Sequence, residues 1–145
     1  MPPIPPKLTE FYQSTSYRAR TSRGELTLRI GERSELLDRL LDDCEVSEWA
    51  YLTSCNPHSQ RLTDKENSAR LQELRDLLDS GGWPYFSGSS CADEGDWPDE
   101  ESVLILGVSL NTALKIGSQF GQYAIIAGIR GGPAILFEAP SQVAD

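Results

Sequence analysis

Val-Leu-Ile-Leu-Gly-Val at 103–108 constrains this chain more than any other stretch. A β-branched and aliphatic run with no polar interruption suits a strand covered on both faces. It is therefore expected at the centre of a sheet with packed elements on either side. The chain's 145 residues suffice for one such core, since single domains usually take about 100–200 residues.

Around that strand the hydrophobic period switches between 2 and 3.6. GELTLRIG (24–31) puts Leu26, Leu28 and Ile30 on one face between two glycines and reads as a half-buried strand. SELLDRLLDDC (34–44) gathers Leu36, Leu37, Leu40 and Leu41 on one side of a helix that Ser34 can cap. SEWAYLTS (47–54) reads as a buried strand stopped by Asn56-Pro57. Thr63 and Glu66 stand at capping-box spacing, and the helix they open carries Leu71, Leu74, Leu77 and Leu78 up to Gly81-Gly82. WPYFSGSS (83–90) reads as a short strand and the acidic stretch from Asp93 to Asp99 as a loop. Ser109 caps a third helix with Leu110, Ala113, Leu114 and Ile116, which Gly117 can end. QYAIIAGIR (122–130) and PAILFEA (133–139) flank Gly131-Gly132, a two-residue hairpin signal.

The order β-α-β-α-β-β-α-β-β predicts an α+β (mixed α/β) fold, a mixed sheet of five or six strands with about three helices. Residues 8–139 are expected to form this single domain. A proline-rich arm at 1–7 precedes it, because PPIPP fits neither a helix nor a central strand, and a tail at 140–145 follows.

Thirteen Lys and Arg against 22 Asp and Glu leave a formal charge of −9, which argues against generic nucleic-acid or anionic-lipid binding. Basic residues concentrate early, at Lys7, Arg18, Arg20, Arg23, Arg29 and Arg33, so a local basic face remains open. No apolar stretch approaches the ~20 residues of a membrane span, and MPPIPPKLTEFY lacks the apolar core of a secretion signal. Cys44, Cys55 and Cys91 are odd in number and form no C-x-x-C unit. The expectation is a cytoplasmic protein.

Chemistry concentrates in three loops. TSCNPHSQ (53–60) leaves a strand just before a capped helix, where sheets commonly bind ligands and unpaired helix amides face outward. Asn56 and Gln60 both donate and accept, which suits a carbonyl, an amide or a nucleobase edge; they equally suit an Asx turn and its completion. Cys55 and His58 could pair as nucleophile and base, but Pro57 lies between them and no third residue orients them. Cys55, His58 and a further cysteine match no paired-ligand zinc spacing, so no metal and no cofactor are expected.

In DWPDEES (96–102), Glu100 and Glu101 precede the central strand. Adjacent carboxylates on an extended chain face opposite ways, so only one enters a given pocket; the run reads otherwise as a solvated acidic loop. In QFGQ (119–122), Gly121 lets the chain approach closely, either to place Gln122 against a ligand or simply to turn. Arg70 could reach the first loop to hold a carboxylate or phosphate, or pair with Glu66 or Glu73 on its own helix. No P-loop, G-x-G-x-x-G, H-E-x-x-H or G-x-S-x-G motif is present, so the sequence names no reaction.

Taken in order, Tyr12 and Tyr17, WAYLTSCNPHSQ, Asn67, DWPDEES and FGQYAI resemble the domain-of-unknown-function family 3293. These are small bacterial proteins in which an aromatic-rich strand ends in a Thr-x-x-Asn-Pro loop. The resemblance spans roughly residues 8–138. It implies that Thr53, Asn56, Pro57, Gln60, Asn67, Glu101, Phe120, Gly121 and Gln122 occupy the family's motif positions, and it implies no reaction. Cys55 stands where the family often carries an aromatic residue and Ser59 where glycine is frequent, which argues further against thiol catalysis.

The resulting expectation is a pocket lined by Thr53, Asn56, Gln60, Asn67, Arg70, Glu101 and Gln122 that takes a small polar or nucleotide-like ligand. The alternative is an acidic module that engages a basic protein partner through residues 93–101. A third reading is a hydrolase with Glu101 as general base, which requires that burial raise its pKa.

Overall fold

The computed structural model describes residues 10, 12–57, 60–93 and 99–139. The arm at 1–7, the tail at 140–145, His58, Ser59 and residues 94–98 of the acidic loop lie outside the described residues. Among the described residues these elements follow one another: β1 (Thr15–Thr21), β2 (Gly24–Leu28), α1 (Glu35–Asp43), β3 (Glu48–Leu52), α2 (Asp64–Gly81), β4 (Tyr85–Ala92), β5 (Glu100–Leu106), α3 (Leu110–Gln119), β6 (Ala124–Ile129) and β7 (Ile135–Glu138). No helix among the described residues is long and apolar enough to cross a membrane.

The helices begin where local chemistry provides for their free amides. Ser34 accepts from Leu37 N–H at α1, Ser109 from Thr112 N–H at α3, and Thr63 with Glu66 forms a complete capping box at α2. Gly82, at φ 76°, closes α2 in the left-handed conformation that a side chain resists. The Thr63 hydroxyl and amide both hold the Glu66 carboxyl below its ordinary pKa.

The seven strands form one sheet in the order β2-β1-β4-β5-β3-β6-β7. The expected central strand, β5, is the fourth of the seven, and Val103, Leu104, Ile105 and Leu106 are wholly buried. Its side chains alternate: Leu104 and Leu106 meet Leu37, Leu40 and Leu41 of α1, while Val103 and Ile105 meet Leu71, Leu74 and Leu78 of α2. Thus α1 covers one face, and α2 with α3 covers the other.

Two expectations are corrected. First, the sheet has seven strands rather than five or six, because TSYRART forms β1 between β2 and β4. Its buried side chains, Thr15, Ser16, Tyr17 and Ala19, include little aliphatic surface to mark it as a strand. Second, the sheet is not mixed: every pair of neighbouring strands is antiparallel. The helix-linked pairs β3 and β4, and β5 and β6, do run in the same direction, as a crossover helix requires. However, β5 lies between the first pair and β3 between the second.

The sheet curls until its outer strands meet just past their ends, through a parallel bridge between Ile30 and Ala134. Acidic residues along α1 tie both edges together. Arg23 from the β1–β2 turn holds Asp43, Arg130 from the β6–β7 turn holds Asp42, and Gly131 N–H donates to Asp38.

Candidate functional site

Three sequence-distant segments meet at one rim of the sheet: the loop after β3, the start of β5, and the Phe-Gly-Gln turn after α3. The ladder itself begins the assembly, since Leu52 pairs with Val103. Beyond the ladder, the Thr53 hydroxyl donates to the Glu101 carbonyl at 2.6 Å and accepts from Cys55 N–H at 3.0 Å.

Asn56 is the hub. It is 6% exposed and sits at φ 46°, a left-handed conformation that asparagine tolerates better than most residues. Its Oδ1 accepts from Leu62 N–H and Asn67 Nδ2, each at 2.9 Å, and its own N–H donates to Asn67 Oδ1 at 2.9 Å. Its Nδ2 donates to the Glu100 carboxylate at 2.6 Å.

Arg70 and Gln122 complete the join. Arg70 Nε donates to the Ser54 carbonyl at 2.6 Å and Nη2 to the Phe120 carbonyl, with the guanidinium 5.8 Å from the Phe120 ring centroid. The pairing with Glu66 or Glu73 considered from helical spacing is replaced by this link between two loops. Gln122 Nε2 donates to the Cys55 carbonyl at 3.0 Å.

The structure therefore brings together Thr53, Asn56, Asn67, Arg70 and Gln122, and it separates Gln60 from them. Gln60 is exposed and lines neither cavity at Asn56; its amide returns to the Pro57 carbonyl. Glu101 lines a cleft with Asn56 and Asn67. Strand alternation turns Glu100 toward the face that bears Ser102 and Leu104, while Glu101 is exposed and offers the loop its backbone carbonyl. The carboxylate in contact with Asn56 is thus that of Glu100.

Two cavities share Asn56 and Glu100 as a common wall. The inner one, about 120 Å³, is lined by Tyr12, Tyr17, Tyr51, Thr53, Ser90, Ser102 and Gln122, with Leu52, Ala124, Ile125 and Ile126 as apolar surface. The outer cleft, about 420 Å³, is lined by Arg61, Leu62, Asp64, Asn67, Asp99 and Glu101 among others. Sequence reasoning did not single out Tyr51, Ser90 or Ser102; their one signal is strand parity, which places them on the face of Tyr17.

Burial pushes the phenols of Tyr12, Tyr17 and Tyr51 well above their usual pKa, and the Glu100 charge raises Tyr12 and Tyr17 further. All three rings are therefore neutral at physiological pH. Burial likewise raises the Cys55 thiol, which is 5% exposed and donates weakly to the Glu101 carbonyl at 3.7 Å. That environment opposes a thiolate. Among the described residues no group of three or more His, Cys, Asp or Glu is placed to hold a metal. At the edge of the acidic loop, Asp93 is tied to Arg29 and Ser16, and Arg29 holds its carboxyl below the usual range.

Fold and rim together define an antiparallel α+β domain with a tyrosine-lined hollow at the end of its sheet, closed on one side by an Asn-Pro loop. The chain belongs to the family described as Protein of unknown function (DUF3293), whose model matches residues 52–125. No curated protein and no solved structure matches the chain. The matched segment is shorter at both ends than the resemblance read from motifs. It contains Asn56, Asn67, Arg70, Glu100 and Gln122, whereas Tyr12, Tyr17 and Tyr51 precede it.

Proposed function

We propose that the protein binds a small polar molecule in the inner hollow, with Asn56, Glu100 and Gln122 reading its polar end and the tyrosine rings enclosing its body. The carrying observation is that these three side chains come from segments far apart in sequence, are each fixed by an internal hydrogen bond, and line one hollow. Such pre-set polar groups in a mainly apolar recess are the usual make-up of a small-molecule site. Thr53 also lines the hollow, while Asn67 and Arg70 hold the loop in place behind it. No cofactor enters this reading.

The volume sets the ligand's size. Drug-sized ligands occupy pockets of about 300–1,000 Å³, so about 120 Å³ takes a much smaller molecule. A nucleotide-like ligand would have to reach past the Asn56 and Glu100 pair into the outer cleft.

A library of small polar metabolites, screened by NMR against the isotope-labelled full chain, tests the proposal. Binders should shift the side-chain amide signals of Asn56 and Gln122 and lose affinity in Ala124→Leu, which fills the recess. Binders that act only elsewhere, or a library without any binder, would remove it.

A further inference from the structure

We infer that the ligand of the inner hollow is a small organic cation, a primary ammonium on a short apolar body. This rests on the hollow being a binding site and adds the chemical class of its occupant.

The hydrogen-bonding inventory of the walls carries the inference. Tyr17 donates its hydroxyl proton to the Tyr12 carbonyl at 2.8 Å, and Tyr51 donates to the Arg18 carbonyl at 2.7 Å. Thr53 donates to the Glu101 carbonyl at 2.6 Å, and Ser102 to the Glu100 carbonyl at 3.0 Å. Tyr17, Tyr51 and Thr53 each place their single proton on a carbonyl and meet a ligand as acceptors, and the Ser102 proton is likewise held within the protein. One N–H of the Asn56 amide is likewise engaged on Glu100, and the Gln122 amide donates to the Cys55 and Phe120 carbonyls. With these donors turned on the protein itself, the hollow offers mainly acceptors and suits an occupant that supplies donors. An ammonium brings three and accepts none.

Charge and shape agree with that assignment. The described lining includes one carboxylate, Glu100, and no Lys, Arg or His. Tyr17 and Tyr51 stand edge to face with centroids 5.5 Å apart, so aromatic surface borders the recess on the side toward α1. Aromatic faces within about 6 Å attract cations and exclude carboxylates. The same Glu100 charge that opposes phenol ionisation in Tyr12 and Tyr17 would favour a positive guest. The recess, about 120 Å³, suits a molecule well below drug size, such as a chain of a few heavy atoms.

The test compares three molecules of one size, n-butylammonium, n-butanol and butyrate, each titrated into the full chain while the Gln122 side-chain amide signal is followed by NMR. Butylammonium should bind roughly tenfold or more tightly than butanol, the margin expected of a charge-assisted hydrogen bond, and butyrate should not bind. Glu100→Gln should bring butylammonium down to the affinity of butanol. Butanol or butyrate binding as well as butylammonium would overturn the inference while leaving the hollow a binding site. If none of the three binds, the inference falls, and the metabolite library decides separately whether the hollow is a binding site. Should Glu100→Gln not fold, the comparison of the three probes on the unaltered protein decides alone.

Discussion

Replacing Asn56 by alanine removes three side-chain hydrogen bonds at once, those to Glu100, Leu62 N–H and Asn67 Nδ2. Each such bond contributes about 1 kcal/mol net. Alanine must also take the left-handed backbone of this position, φ 46°, at about 1 kcal/mol or slightly more. The expected loss is about 4 kcal/mol. For chains near this length, about 2–4 °C of Tm accompanies each kcal/mol, so the midpoint should fall by roughly 8–16 °C. Asn56→Gly loses the same bonds but accepts the backbone freely, and it should be about 1 kcal/mol less damaging. Asn67→Ala, made alone and together with Asn56→Ala, should be far from additive because the two amides are each other's partners. Urea unfolding followed by tryptophan fluorescence measures all of these, with an unchanged slope in denaturant confirming that the native state is otherwise intact. A loss below about 1 kcal/mol for the alanine variant would refute the assignment of Asn56 as the hub. A glycine variant less stable than the alanine one would refute the backbone part.

Arg70→Lys keeps the charge but cannot span the Ser54 and Phe120 carbonyls together; a loss of about 1–3 kcal/mol in urea is expected, with weakened ligand shifts at Gln122. Gly88→Ala would drive a methyl group into the Arg18 carbonyl of the neighbouring strand, and a cost of about 3 kcal/mol, read by calorimetry, should follow. Asp42, Asp43 and Asp93 are held below the usual carboxylate range by hydrogen bonds from Arg130, Arg23 and Arg29. Their contribution is complete above the unfolded pKa of about 3.9 and is lost as pH falls through the depressed folded values. Tm should therefore drop on acidification below about pH 4, and less steeply in Arg29→Gln. Alkylation by iodoacetamide should be quick at exposed Cys44 and slow at Cys55 until the chain unfolds, as mass spectrometry of the digested protein would show.

How far the sequence foretells this structure depends on whether the deciding interactions are local. The capping box at Thr63 and the glycine stop at Gly82 act within a few residues, and both hold as read. The central position of β5 is legible because Val103–Leu106 needs cover on both faces. The same uniform hydrophobicity conceals strand parity, and a register shift of one residue exchanges the faces. The resemblance points to Glu101, which lines the outer cleft, while strand parity brings Glu100 to both cavities. The cluster around Asn56 is partly legible, since Asn67, Arg70 and Gln122 are polar residues next to turn signals. Gln60 has the same chemistry yet stands apart, and only the path of the loop distinguishes it. Antiparallel pairing was hidden because strand neighbours are chosen by contacts across the whole chain, not by the helix that joins two strands.

The insertion of β5 between β3 and β4 also bears on how the chain is made. Synthesis delivers β3 and β4 to the ribosome exit before the strand that belongs between them exists. Until residue 106 has emerged, the nascent chain can complete only the β2, β1 and β4 portion of its sheet, and β3 waits with Trp49, Tyr51 and Leu52 uncovered. Vectorial emergence thus imposes a late closing step, and polypeptides ending before β5 would carry sticky, unpaired strands.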